Sequence, residues 1–218
     1  IECENAVFNI QGRDGEEFSY LPYIERDQHI SLTQFTLKEA IRQTIFSISP
    51  NDSNKMMAGE LLEVKDDFLK VVSLDGHRIS IRNIQLKEHY DNHKVIVPGK
   101  TLSEISKILT GDNEKEVLIY FSKNHILFEF DDTVVVSRLI DGEYFKIDHM
   151  LSSDYETRVK LNKRDFMDNI DRAMILIRDS DRKPIIMNVE DNNLNMRVKS
   201  AFGSMNANVP AHKSGKDI

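Results

Sequence analysis

The sequence predicts an α+β protein made of repeats of one unit, and three observations lead there. Short β-rich stretches joined by polar turns far outnumber helical ones. The few helical stretches carry apolar residues on one side only, as helices laid on a sheet do. Segments about 125 residues apart also match one another in order.

Taken in order, Ala6-Val7-Phe8-Asn9-Ile10 reads as a strand, followed by a turn from Gly12 to Gly15. Phe35 to Ile48 reads as a helix, because Leu37, Ala40, Ile41, Thr44, Ile45 and Ile48 recur at helical spacing. Thr36 with Glu39 matches a capping box, and Pro50 with the polar Asn51-Asp52-Ser53-Asn54 stops the helix. Strands follow at Leu61 to Val64, Phe68 to Val72 and Arg78 to Ile81, with a turn at Lys65-Asp66-Asp67. Thr101 to Leu109 is a second helix, ended near Gly111. Val117 to Phe121, Ile126 to Phe130 and Thr133 to Val136 are strands whose short turns imply antiparallel hairpins. Asn162 caps a third helix with an apolar face of Phe166, Met167, Ile170, Ala173, Met174 and Ile177. The polar stretch from Ala211 to Ile218 closes no element.

The repeat sets the domain plan. Ile41 aligns with Phe166, Ile45 with Ile170, Val64 with Val189 and Leu69 with Leu194, each pair 125 positions apart. Asp14-Gly15-Glu16-Glu17-Phe18 aligns with Asp141-Gly142-Glu143-Tyr144-Phe145 at 127. A unit of that length is an ordinary domain. We therefore expect the tail of one copy at 1–32, a complete copy at 33–153 and the front of another at 154–218, with both ends cut through a larger protein.

Composition narrows the function classes. Of 218 residues, 40% are hydrophobic and 30% charged, an ordinary globular mixture without a membrane-length apolar run or a secretory leader. The lone Cys3 forms no internal disulfide, which fits a reducing cytoplasm, and no cysteine–histidine zinc spacing occurs. The net charge of −7 means that any DNA contact needs basic residues gathered on one face. No glycine-rich phosphate loop or nucleotide fingerprint appears, so neither cofactor nor metal is expected. Asp75 and His77 could be read as the acid–base pair of a hydrolase beside Ser73, but nothing supplies an oxyanion hole. A β-rich scaffold that binds proteins without DNA is the other alternative.

Four segments carry a family resemblance. Ser73-Leu74-Asp75-Gly76-His77-Arg78-Ile79 resembles the (T/S)-x-D-G-H-R-(L/I) segment of the bacterial DNA sliding clamp, the beta subunit of DNA polymerase III. Val95-Ile96-Val97-Pro98-Gly99-Lys100 is similar to that family's V-I-V-P-x-K lead into a helix. Ser137 to Tyr144 is similar to its S-(R/K)-L-(I/V)-D-G-x-(Y/F) strand and turn, and Ala58-Gly59-Glu60-Leu61-Leu62 to a strand start. The segments fall in family order, and the resemblance runs along the whole chain; only Ala207 to His212 fits it poorly and stays unassigned.

The resemblance implies a non-catalytic processivity factor with the DNA-clamp fold. Sheets form the outside of a homodimeric ring, and helices line a central pore that holds duplex DNA without reading its sequence. It implies a hydrophobic groove between second and third domains, where the replicative polymerase, the clamp loader and repair proteins dock short linear peptides. The positions matching that groove are Asn54, Met57, Leu74, Gly76, His77, Arg78, Ile79, Phe145, His149 and Met150. Leu74 replaces a common Thr or Ser, Phe145 a common Pro and His149 a common Arg. Taken alone, Asp75-Gly76 also reads as a plain hairpin turn with His77 and Arg78 in solvent. The expected DNA-facing cations are Lys38, Arg42, Lys55, Lys100, Lys107, Arg164 and Arg172, with Lys163 also on the polar side of the third helix. Acidic neighbours intermingle, so a solvated helix face is the competing reading for each.

Overall fold

A computed structural model describes residues 1–18, 20, 22–49, 54–151, 154–178, 183–190 and 192–216. The chain divides into two compact units, Ile1–Phe145 and Lys146–Ile218. The predicted helix stop at 50–53 and the last two residues lie outside the described set.

The first unit opens with a two-strand hairpin, β1 (Glu2–Cys3) and β2 (Ala6–Val7), exposed throughout. The longer strand expected from Ala6 to Ile10 does not form, because none of its apolar residues is buried. Strand β3 (His29–Thr33) alternates, with Ile30 and Leu32 buried. Helix α1 (Gln34–Thr44) starts earlier than expected: the Thr33 hydroxyl accepts from the Thr36 N–H at 3.1 Å, so Thr33 is the cap. It also ends earlier, tightening into a 3-10 turn at Ile45–Ser47. There the Thr44 hydroxyl donates back to Ala40 O at 2.8 Å and disturbs the last turn.

β4 (Gly59–Leu74) pairs antiparallel with β5 (Ile79–Pro98). The expected turn at residues 65–67 appears as two register shifts around Asp66, whose φ is +54°. Helix α2 (Gly99–Ile108) begins two residues before the expected Thr101, directly after Pro98, whose ring forbids a ladder hydrogen bond. A side chain at Gly99 would collide with Ile48 and come within 3.1 Å of Ala58 O, so only glycine lets α2 approach the end of α1. β6 (Glu116–Phe121), β7 (His125–Phe130) and β8 (Thr133–Arg138) complete an antiparallel sheet ordered β3-β6-β7-β8. One core joins both sheets and both helices: Leu37 and Ile41 from α1, Leu102 and Ile105 from α2, Leu69 and Val71 from β4, Ile119 and Phe128 from β6 and β7. This is the α+β arrangement that the sequence predicts.

The second unit repeats the order strand, helix, strands. β9 (Thr157–Leu161) leads into α3 (Lys163–Met174), then β10 (Ile186–Glu190), β11 (Asn193–Ser200) and β12 (Gly203–Gly215), with sheet order β10-β11-β12-β9. Asn162 caps α3 as expected, accepting from the N–H groups of Arg164 and Asp165. Phe166, Ile170 and Ala173 face the core, but Met167 and Met174 are half exposed, because the buried stripe is narrower than the sequence suggests. The tail read as structureless is the end of β12: Ala211 to Gly215 pair with Leu161 to Thr157. Val209 and Ala211 point inward while their neighbours face solvent, a period of two that few apolar residues reveal. Counted from their caps, Leu37 matches Phe166 and Ile41 matches Ile170, one helical turn away from the alignment made on sequence.

Candidate functional site

The tip of the β4–β5 hairpin is locked by one carboxylate. Asp75 accepts from the backbone N–H groups of His77 at 3.1 Å and Arg78 at 3.2 Å, and from Arg78 Nε at 2.9 Å. The hydrogen bond from His77 N–H, with those from Arg78, holds its carboxyl below the usual carboxylate range. Gly76, at φ +86°, makes the reversal that a side chain would strain. Leu74 and Ile79 pair across the hairpin, Leu74 buried and Ile79 partly so, while His77 and Arg78 are exposed. With its carboxylate committed to the turn, Asp75 is not placed as a base for His77.

The end of α1 is tied to this tip. The Arg78 guanidinium lies 5.8 Å from the centre of the Phe46 ring, and the hydroxyls of Ser47 and Ser80 are 2.6 Å apart. Phe46, more than half exposed, stands beside the tip; the sequence reading did not single it out, because it falls off the apolar stripe of the helix. Asn54 caps a short 3-10 segment, Lys55–Ala58, accepting from Met56 N–H at 3.1 Å. Ser49 N–H donates to Met57 O at 2.8 Å, which brings Met57 back to the chain just past Phe46. Phe145 stacks edge-on against Tyr144, whose hydroxyl donates to Val72 O at 3.3 Å, two residues from Leu74.

A buried polar joint lies behind the tip. The Ser73 hydroxyl donates to Thr44 O, fastening β4 to the end of α1. Glu60 is fully buried, and neither of its carboxylate oxygens has a hydrogen-bond partner among the described residues. Burial pushes its carboxyl up to about 8, opposed only in part by the Thr44 hydroxyl, which donates to Ala40 O instead. Burial, and then the nearby Glu60, also raise Tyr144.

His149 and Met150 belong to the second unit. A 3-10 turn at Ile147–His149 carries them, with Met150 N–H donating to Ile147 O at 2.8 Å and both side chains exposed.

The expected DNA-facing cations divide by their local partners. Lys38 Nζ donates to Leu109 O at 2.7 Å and so caps the end of α2. Arg42 forms a forked pair with Glu39, both hydrogen bonds at 2.7 Å, and Lys107 pairs with Glu104 at 2.8 Å. Lys55 and Lys100, and Arg164 and Arg172 in the second unit, form no ion pair among the described residues. Among the described residues no metal-binding cluster occurs, and no helix is long and apolar enough to cross a membrane.

The family description "DNA polymerase III beta subunit, central domain" matches residues 31–146. A beta sliding clamp of Staphylococcus epidermidis is 34% identical over 179 residues, covering 82% of this chain and 47% of that protein. The chain thus spans about half the length of the curated relatives it matches. A solved DNA polymerase III beta subunit structure from Eubacterium rectale is 61% identical with a TM-score of 0.94, covering 100% of this chain and 59% of the other. The DNA polymerase sliding clamp of Bacillus subtilis is 29% identical with a TM-score of 0.90, covering 98% and 57%.

Proposed function

The chain belongs to the DNA polymerase III beta subunit family, and from that premise we propose that it is part of a ring that encircles duplex DNA and tethers proteins to it. It acts as a cytoplasmic, non-catalytic processivity factor, needs no cofactor, and closes its ring as a homodimer of the whole protein. Residues 1–32, 33–153 and 154–218 correspond to the tail of a first clamp domain, the whole of a second and the front of a third. Polymerase, clamp loader and repair proteins dock short peptides in the groove, and duplex DNA passes the helices.

The observation that carries the docking site is the Asp75-locked tip beside Phe46. It presents Ile79, the Arg78 guanidinium and an aromatic ring on a rigid edge, with Leu74 packed beneath. An apolar peptide anchor gains most where the wall is preorganised. Met57 adds an adaptable wall that suits several sequences. The test is fluorescence anisotropy with a labelled peptide bearing a leucine–phenylalanine anchor pair. Met150→Asp, at a half-exposed position, and Leu74→Asp should each weaken binding by roughly tenfold or more, about 1.4 kcal/mol. Unchanged affinity in a folded Met150→Asp variant would count against the groove.

A further inference from the structure

A crevice opens in the first unit, and none of the hairpin-tip residues 74–79 lines it. It has a volume of about 320 Å³ and lies between β5 and the chain that leaves β8. That chain is stitched down at two points. Leu139 N–H donates to Asn124 O at 2.9 Å, and Ile140 N–H donates to Ile96 O at 2.9 Å. It then runs toward the start of β4: a side chain on Gly59 would meet Ile140 at 2.7 Å, and Gly142, at φ +134°, lies against Met56.

This path sorts the charges of the crevice. Lys94, Lys123 and Arg138 line it where the segment departs, and Asp141 and Glu143 line it where the segment arrives. Leu61, Ile96 and Ile140 supply the apolar lining between. Four of these five charged groups are available to a ligand. Lys123, Arg138, Asp141 and Glu143 have exposed residues and make no ion pair or side-chain hydrogen bond among the described residues, and Lys94 is only 3.6 Å from Glu63.

We propose that this crevice binds an extended peptide segment bearing a carboxylate and a cation three or four residues apart, with apolar side chains between. Four extended residues span roughly 13 Å, about the length of chain from Arg138 to Gly142. Nucleic acid fits less well, because a string of phosphates would be drawn to one end and repelled by the two carboxylates at the other. Exposed charge pairs are individually weak, so affinity for a single short segment is on the order of 1 mM.

The experiment is an NMR titration of the isotope-labelled full chain. The probes are capped aspartate-leucine-leucine-lysine, the same residues in reverse order, and asparagine-leucine-leucine-glutamine. At least one charged order should give saturable shifts in residues 138–143, weakened about fivefold or more by Lys123→Glu with Arg138→Glu, and by raising salt. Failure of both charged orders to shift these residues overturns the proposal, as does equal binding of the uncharged probe. Shifts produced by a thymidine oligonucleotide but by neither peptide would assign the crevice to nucleic acid instead. Met150→Asp should leave this binding intact, and the crevice variant should leave groove-peptide affinity intact, so the two readings fail separately.

Discussion

Polar groups behind the β4–β5 hairpin and polar groups along the helices are similar in kind but differ in what surrounds them. Behind the hairpin, Glu60, Ser73 and Thr44 are fully enclosed, and each missing or present hydrogen bond is felt at the low dielectric of the interior. On the helices, Arg42 and Lys107 form short ion pairs in open solvent, where water competes for both partners. The comparison teaches that bond length is a poor guide to consequence. The short Arg42–Glu39 fork stabilises little, while a carboxyl with no hydrogen-bond partner among the described residues makes the unit's stability depend on pH.

The largest effect that sharpens this contrast belongs to Glu60. Its carboxyl sits near 8 in the folded unit and near 4.5 when solvated. Folding therefore favours the protonated form. Stability is fully present below about pH 4.5 and is lost as pH rises toward 8, by something on the order of 3–5 kcal/mol. Glu60→Gln should remove most of that slope. Guanidinium denaturation at pH 5 and pH 8 reads it directly: the two proteins should differ far more at pH 8. Equal slopes would mean that Glu60 finds a compensating partner.

Ser73→Ala comes next. It deletes the hydroxyl that fastens β4 to Thr44 O, at about 1–2 kcal/mol if the carbonyl is left unsatisfied. The loss should appear in the denaturation midpoint at any pH, which separates it from the Glu60 effect.

Neither Glu60 nor Ser73 could be picked out on residue type. The alternation of β4 marks Leu62 and Val64 as inward, and Glu60 falls on the same side by period two, but a carboxyl there reads as a strand end in solvent. What could be read were the features set locally: the α+β class, the Asp75-Gly76 reversal, the Asn162 cap and the apolar stripes of three helices. What could not be read depended on distant partners or on phase. The helix repeat was aligned one turn off because a shift of four residues maps an apolar stripe nearly onto itself. β12 was missed because its inward positions near the end are only Val209 and Ala211. That Lys38 reaches Leu109 O could not be read either, because the two lie 71 residues apart and no sequence window brings them together.

The smallest effects concern the cations, and they test the helical side of the contrast. Lys38→Ala removes a cap from α2 and should cost about 0.5–1 kcal/mol in denaturation. If the proposed DNA passage is right, the remaining cations should separate by partner rather than by position. Each phosphate contact contributes about 0.9 to the slope of log affinity against log salt on duplex DNA. Lys100, with no ion pair among the described residues, should lower that slope by nearly one such step when changed to Ala. Arg42 must first release Glu39 to reach a phosphate. Arg42→Ala should therefore change the slope by less, and Glu39→Gln should raise affinity by freeing Arg42. If Arg42→Ala and Lys100→Ala lower the slope equally, the Glu39 fork opens readily on DNA, and residue type alone would describe the helical surface.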